Sequence, residues 1–83
     1  MTEDRNLYEA AAEVVDSLVG HRVAEHETLI SSGLIDSLSI LRLIGLLEKK
    51  LGVIIPTESL QPDDFDSIDL IVETVRRVSR PTG

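Results

Sequence analysis

A long apolar stretch, residues 38–51, places the strongest limit on how this chain can fold. Its eight aliphatic side chains recur at helical spacing, but they occupy more than one face of the helix that this spacing predicts. Such a helix is either deeply buried or offers part of its apolar surface to a partner. The segment Gly33-Leu34-Ile35-Asp36 leads into it, and Gly52 follows it as a stop signal. We therefore expect a helix over residues 37–51 at the centre of the fold.

An acid and a serine stand at the start of this predicted helix. Asp36 is expected to cap the orphan amide groups of the first turn, which places Ser37 at the first helical position. The helix dipole and the N–H groups without intrahelical partners stabilise negative charge at such a position. Ser37 is therefore well placed to carry a phosphate ester.

Two further helices are predicted, one before and one after this central helix. Residues 1–20 carry an apolar stripe on one side and acids on the other. Residues 67–79 carry a stripe of isoleucine and valine, and Asp66 is expected to cap them. Helices with such stripes bury them against one another, which predicts an all-α fold, a small bundle of three to four helices.

The connections between these helices are unequal in length. Residues 21–35 form a long loop between helices one and two, which Leu29 and Ile30 are expected to pin to the core. Loops of this length in small domains are unusual and often functional. Residues 53–56 read as an isolated extended segment, and residues 62–65 as one helical turn that starts with proline. We expect one domain over residues 1–83, with an ordered core from about residue 3 to residue 79.

The charge balance and the residue types exclude several classes of partner. A net charge of −7 argues against nucleic acid or an anionic membrane as the partner and favours proteins with basic patches. The chain has no cysteine, so any thiol in its function has to be brought in. No stretch is long or apolar enough to cross a bilayer, and the N-terminus does not read as a secretion signal, so we expect a cytoplasmic protein.

Metal binding and catalysis are not expected. The acidic cluster lacks the spacing and the glycine of a calcium loop, and the two histidines lie five residues apart in a loop, off the spacing of helical metal pairs. Helix capping and solvation explain these residues better. A serine hydrolase is disfavoured because the chain has no nucleophile elbow and is too short to enclose an oxyanion hole. The residues concerned are Asp63, Asp64, Asp66, Asp69, His21 and His26.

The segment Leu34-Ile35-Asp36-Ser37-Leu38 resembles the attachment motif of acyl carrier proteins and of the similar peptidyl and D-alanyl carrier proteins. The resemblance extends to Leu51-Gly52-Val53-Ile54-Ile55-Pro56, to Phe65-Asp66-Ser67-Ile68 and to the order helix, long loop, helix. It covers the chain from about residue 7 to residue 78. The fold that it implies is a four-helix bundle whose second helix opens with the Asp-Ser-Leu motif.

The resemblance also implies a function. Ser37, with Asp36 and Leu38 beside it, would carry a 4′-phosphopantetheine arm derived from coenzyme A, and acyl or aminoacyl cargo would ride on the thiol of that arm as a thioester. The implied partners are a magnesium-dependent phosphopantetheinyl transferase, an enzyme that loads the acyl or aminoacyl group, and a downstream transferase or synthase. The protein itself would be a non-catalytic carrier, expected to be a monomer.

In this family the second helix is the main docking surface. Fatty-acid carriers are strongly acidic along it, whereas here Glu48 is opposed by Arg42, Lys49 and Lys50. This difference argues against docking to generic fatty-acid synthase enzymes, and the segment Phe65-Asp66-Ser67-Ile68 is more similar to D-alanyl and peptidyl carriers. Both favour a stand-alone carrier of a dedicated biosynthetic pathway, such as a polyketide or nonribosomal peptide pathway, while fatty-acid synthesis and D-alanylation stay open. The matching outward positions are Leu38, Ser39, Leu41, Arg42, Gly45, Glu48 and Lys49, and the core positions are Ile40, Leu43, Ile44 and Leu47.

One alternative from another class stays open. An unmodified helical adaptor would use the same second helix to bind a partner, and Ser37 would then be only a serine at a helix start. Gly45 bears on both readings, because glycine inside a helix costs about 1 kcal/mol relative to alanine. That cost indicates a close approach at Gly45, either by a partner or by one of the protein's own loops.

Overall fold

The computed structural model describes residues 2–58 and 60–81, with side chains from residue 5 onward. Its three α-helices are α1 (Thr2–Val19), α2 (Ser39–Leu51) and α3 (Ile68–Val78), and α1 packs against both of the others. A 3-10 helix, Pro62–Phe65, precedes α3 and packs against it. The all-α prediction is thus confirmed, as is the helical turn at residues 62–65. Among the described residues, no helix has the length and apolar character needed to span a membrane.

The core is aliphatic and lies where the three helices meet. The inner face of α2 is buried as predicted, and Ala11 and Val15 of α1 are fully buried opposite it. Each such aliphatic side chain stabilises the fold by about 1.5–3 kcal/mol. The one phenylalanine, Phe65, is also buried and brings the 3-10 helix into the same core. The buried residues of α2 and α3 are Ile40, Leu43, Ile44, Leu47, Ile68, Ile71, Val72, Thr74 and Val75.

The start of α2 differs by two residues from the prediction. The helix begins at Ser39, because the first turn is closed by bonds between residues three apart. The Ser39 N–H donates to the main-chain oxygen of Asp36 at 3.1 Å, and the Ile40 N–H donates to that of Ser37 at 3.4 Å. Tightened 3-10 turns of this kind are common at helix ends. The predicted end is confirmed, since Gly52 has a left-handed conformation (φ 66°) and closes the helix.

The predicted cap of α3 was wrong. Ser67 is the capping residue, and its hydroxyl oxygen accepts the Leu70 N–H at 3.1 Å. Asp66 is instead turned away from α3, towards the long loop. There its Oδ1 accepts the N–H groups of Ile30 and Ser31 at 2.7 and 2.9 Å, and its Oδ2 accepts the Ser31 hydroxyl at 2.5 Å.

The loop is thereby held along its second half. The Leu29 N–H donates to the main-chain oxygen of Asp66 at 2.7 Å, and the Leu29 side chain is fully buried. The prediction that Leu29 pins the loop to the core is confirmed, and Ile30 packs against the core while half-buried. The hydrogen bonds from Ser31, first its hydroxyl and then its amide, hold the pKa of the Asp66 carboxyl below its ordinary value.

A second carboxylate ties the first half of the loop to the helices. Asp69 accepts a hydrogen bond from the Tyr8 hydroxyl of α1 at 2.8 Å and is paired with His26 of the loop. Its own N–H donates to the main-chain oxygen of Glu25 at 3.1 Å. The bond to Asp69 raises the pKa of Tyr8. His26 is exposed to solvent as expected, but it also has a charged partner, which the sequence reading missed.

The extended segment after α2 is not isolated, so that prediction was also wrong. Val53–Ile54 (β1) pairs in antiparallel fashion with Arg80–Pro81 (β2), with Val53 opposite Pro81. Pro81 is the last residue of this ladder. Thr82 and Gly83 are outside the described residues. The pairing fixes the segment after α3 beside the end of α2.

The bonds of Asp66 predict an acid-sensitive contribution to stability. We expect Asp66→Asn to lower the free energy of unfolding by about 1–3 kcal/mol near pH 7, because the charge is removed and the amide nitrogen cannot accept the Ser31 hydroxyl. The pKa of Asp66 is lowered in the fold, so its contribution is present above the ordinary value of about 3.9 and is lost as pH falls through and below it. Denaturant unfolding of the natural protein and of Asp66→Asn, measured from pH 7 down to about pH 3, should therefore show their free energies of unfolding converging as pH falls.

Asp63→Asn is the matched control, since it removes the same charge from an exposed neighbour in the same segment. If both variants lose equal stability at pH 7, the bonds of Asp66 do not stabilise the loop.

Candidate functional site

Ser37 lies on an exposed turn that leads into α2. It stands at the edge of an open groove of about 270 Å³ between α2 and the segment before α3. The floor and the apolar side of the groove come from α2 and from the buried Phe65, and its rim carries polar groups. Its lining includes Ile40, Ile44, Thr57, Leu60, Gln61 and Phe65.

The carboxylate beside Ser37 keeps this turn in place. Asp36 Oδ1 accepts the Ser39 N–H at 2.8 Å, in the i to i+3 geometry of a helix cap. This bond from the Ser39 amide holds the pKa of the Asp36 carboxyl below its ordinary value, so the side chain is ionised near neutral pH. The predicted capping bond of Asp36 is thus present, although the regular helix begins later than expected. Ser37 is held at the positive end of α2.

Other serines nearby use their hydroxyls within the fold. The Ser31 hydroxyl donates to Asp66, and the Ser32 hydroxyl donates to the main-chain oxygen of Thr28 at 2.5 Å. The Ser37 hydroxyl has no protein partner within the part of the chain that the structure describes. Ser37 is therefore an exposed serine whose oxygen is accessible to a modifying enzyme.

Two leucines next to Ser37 are exposed although the core is close by. Leu38 exposes 84% of its surface and Leu41 exposes 70%, whereas large aliphatic side chains are usually buried. Gly45 lies one turn further along α2. Apart from its two neighbours and the backbone of its own helix, no atom of the described residues lies within 4 Å of the position that a Cβ would occupy there. The protein's own loops therefore do not explain the glycine, and that alternative was wrong. The outward face of α2 is open from its start to its middle.

The charged residues predicted for this surface fall into two groups. Arg42 and Lys49 are exposed, and neither has an ion pair among the residues described. Glu48 is half-buried, and its Oε2 accepts the Ile55 N–H at 2.8 Å, which ties the end of α2 to the segment after it. Lys50 reaches in the other direction and pairs with Glu13 of α1 at 2.5 Å. The structure thus leaves Arg42 and Lys49 exposed on α2 and gives Glu48 an internal partner.

The acidic cluster near α3 has structural partners. Asp64 Oδ2 accepts the Gln61 N–H at 2.9 Å and so caps the 3-10 helix, and its Oδ1 lies 3.7 Å from a guanidinium nitrogen of Arg77. Asp66 and Asp69 hold the loop. Within the described ranges, no three acidic or histidine side chains converge as metal ligands do.

Sequence reasoning missed the far wall of the groove and one exposed residue of α2. Leu60 and Gln61 lie more than twenty positions from Ser37 in the sequence, so no local spacing connects them to it. Leu46 was read only as part of the apolar run, yet 39% of it is exposed, at a second groove between α1 and α2. Its position on the helix, four residues after the outward residue Arg42, is the signal that places it near the outward face.

Comparison with known proteins gives one family. A family described as a phosphopantetheine attachment site matches residues 5–75, which is most of the chain. No curated protein sequence matches the chain significantly. The match spans α1, the loop, the turn at Ser37, α2, the 3-10 helix and most of α3.

Gly45 should lower the stability of the isolated protein relative to alanine at the same position. We expect Gly45→Ala to raise the free energy of unfolding by about 0.5–1 kcal/mol, because alanine is the better helix former and its Cβ meets no atom. Thermal or denaturant unfolding measures the change. Gly52→Ala is the control: it also adds one methyl group in open space, but at φ 66°, where the same substitution is strained and should destabilise. Equal effects at the two positions would contradict this account.

Proposed function

Because the chain belongs to the family of phosphopantetheine attachment domains, we propose that it is a carrier protein whose arm is joined to Ser37. Domains of this family carry covalently attached 4′-phosphopantetheine, and they interact with phosphopantetheinyl transferases and with acyl-handling enzymes. The observation that carries the assignment to Ser37 is its position. It is an exposed serine with an unengaged hydroxyl at the start of α2, within the matched residues.

The residues around Ser37 suit a phosphodiester. The positive end of the α2 dipole lies beside the Ser37 oxygen and favours the negative charge that the ester brings. The carboxylate of Asp36 is hydrogen-bonded to the Ser39 amide, which offsets part of its repulsion of a phosphate. The groove next to Ser37 offers apolar side chains and polar rim groups to whatever is attached there. These features support Ser37 as the attachment residue.

In the attachment step Ser37 supplies the oxygen. Its Oγ forms the new bond to the phosphorus of the arm, the bond from that phosphorus to the nucleotide part of coenzyme A breaks, and the hydroxyl proton is released. The magnesium ion that this step requires belongs to the transferase reaction and not to a site on this chain. When bound, the arm supplies a terminal thiol that holds an acyl or aminoacyl group as a thioester. Asp36 orients the turn that carries Ser37, and the bonds to Asp66 fix the loop that leads to this turn.

We further propose how the carrier is used. It presents cargo to separate enzymes, performs no chemistry itself and serves a dedicated biosynthetic pathway in the cytoplasm, as the sequence led us to expect. The outward residues of α2, with Leu38 and Leu41 most exposed, support a docking role for this helix. Its three cations against one acid distinguish it from the acidic docking helix of fatty-acid carriers.

Attachment at Ser37 can be tested by mass. After incubation with coenzyme A, magnesium and a phosphopantetheinyl transferase of broad specificity, the intact protein should gain one phosphopantetheine group per chain. We expect Ser37→Ala to abolish the gain, because the accepting oxygen is removed. Circular dichroism of the variant should stay that of the folded protein, since Ser37 makes no side-chain contact that the fold needs.

Ser32→Ala is the control, because Ser32 is an exposed serine five residues earlier in the same loop. It should be modified like the natural sequence. An unmodified protein would favour the adaptor, and a gain that persists in Ser37→Ala would place the arm elsewhere.

A further inference from the structure

The outward side of α2 combines exposed apolar groups with unpaired positive charge. We define its outer face as the residues Leu38, Leu41, Arg42, Gly45, Leu46 and Lys49. At 100° per residue, Leu38, Gly45 and Lys49 stand above one another, Leu41 flanks them on one side and Arg42 and Leu46 on the other. The buried residues of the helix occupy the opposite side. The outer face is one continuous surface that begins next to Ser37.

Its charge is opposite in sign to that of the protein. The chain carries a net charge of −7, yet the outer face itself contains two cations and no acid. The nearest carboxylates are engaged within the fold, since Asp36 binds the Ser39 amide and Glu48 binds the Ile55 amide. Arg42 and Lys49 have no ion pair among the described residues, so their charge is available to another molecule.

We propose that the outer face docks a cargo-handling enzyme whose own surface has an apolar centre ringed by carboxylates. This inference rests on the proposed carrier function and adds the chemistry of the partner. The leucines supply apolar contact, Gly45 lets the partner's backbone come close to the helix, and Arg42 and Lys49 fix orientation by pairing with acids. Enzymes that present a basic docking surface are rejected by the same two cations.

The net negative charge does not prevent such docking. At physiological ionic strength charges are screened over about 8 Å, so a docked surface responds mainly to the residues that it touches. Glu13 of α1 does reach the groove that Leu46 and Lys49 line, but there it is paired with Lys50. Pairing of two outer faces is disfavoured, because it would bring Arg42 and Lys49 of one chain against the same cations of the other.

The open groove between α1 and α2 extends this surface at its far end. Leu46, Lys49 and Lys50 line it from α2, and Glu13, Val14 and Ser17 line it from α1. Lys50 is paired with Glu13, so this side of the groove is closer to neutral than the side formed by Lys49. The apolar part of the docking surface is therefore wider than the leucines near Ser37 alone.

Two designed peptides provide probes of opposite charge. Each is an amphipathic helix of about four turns, roughly 14 residues. One has leucine on one side and glutamate on the other, and the second has lysine in place of glutamate. The ¹⁵N-labelled protein is first given its arm with the transferase, and the mass gain is confirmed. Amide shifts are then followed during titration with each peptide at physiological salt. We expect the glutamate peptide to shift the amides of residues 38–49 and the lysine peptide to shift those of the acidic segments instead.

The double variant Arg42→Glu/Lys49→Glu should bind the glutamate peptide about tenfold more weakly, since two exposed attractions become repulsions. Arg5→Glu/Arg22→Glu makes the same change in net charge outside α2 and should change the affinity by less than about twofold. The amide spectra also report whether each variant is folded.

Equal weakening by both double variants, or shifts of residues 38–49 by the lysine peptide, would overturn the proposal. So would concentration-dependent dimerisation through the outer face. A protein that gains no arm would contradict the carrier function instead, and the peptide titration of the unmodified chain would still test the outer face.

Discussion

The carboxylate of Asp66 holds the second half of the long loop in place. Asp66 accepts hydrogen bonds from consecutive amides of the long loop and from the Ser31 hydroxyl, while its main-chain oxygen accepts the Leu29 amide. A loop of this length has few neighbours of its own to bond, so a buried, satisfied backbone requires such a partner. With the loop fixed, Leu29 and Ile35 enter the core, and the chain reaches Asp36 and Ser37 in one defined orientation.

The structure depends, secondly, on the division of α2 into a buried side and an exposed side. Its inner residues fill the core that α1 and α3 share, so the helix cannot rotate without exposing aliphatic surface. Its outer residues contribute little to that core. Substitutions on the outer side are therefore free to adjust recognition while the inner side maintains the fold. Together with the docking role proposed above, this separation explains why aliphatic residues occupy more than one face of the helix.

Much of this organisation is readable from the sequence, and the failures have physical causes. Helical periodicity located three helices and the inner residues of α2, because burial imposes that spacing directly. The role of Asp66 was misread, since an acid before a helix looks like a cap and only the tertiary fold brings the loop amides to it. Ser67, the next residue, is an equally good cap. The pairing of β1 with β2 was missed because each strand has only two residues and Pro81 argues against a strand.

The short ladder between Val53–Ile54 and Arg80–Pro81 also places residues 80 and 81 at the end of the molecule that is remote from Ser37. It lies beyond the last residue of α2, whereas Ser37 precedes the first, and a helix of 13 residues separates them by about 20 Å. An affinity tag or linker fused after Pro81 would thus leave from the pole remote from the serine. Immobilising the protein by that end would present the serine-bearing pole outward, unobstructed by the support.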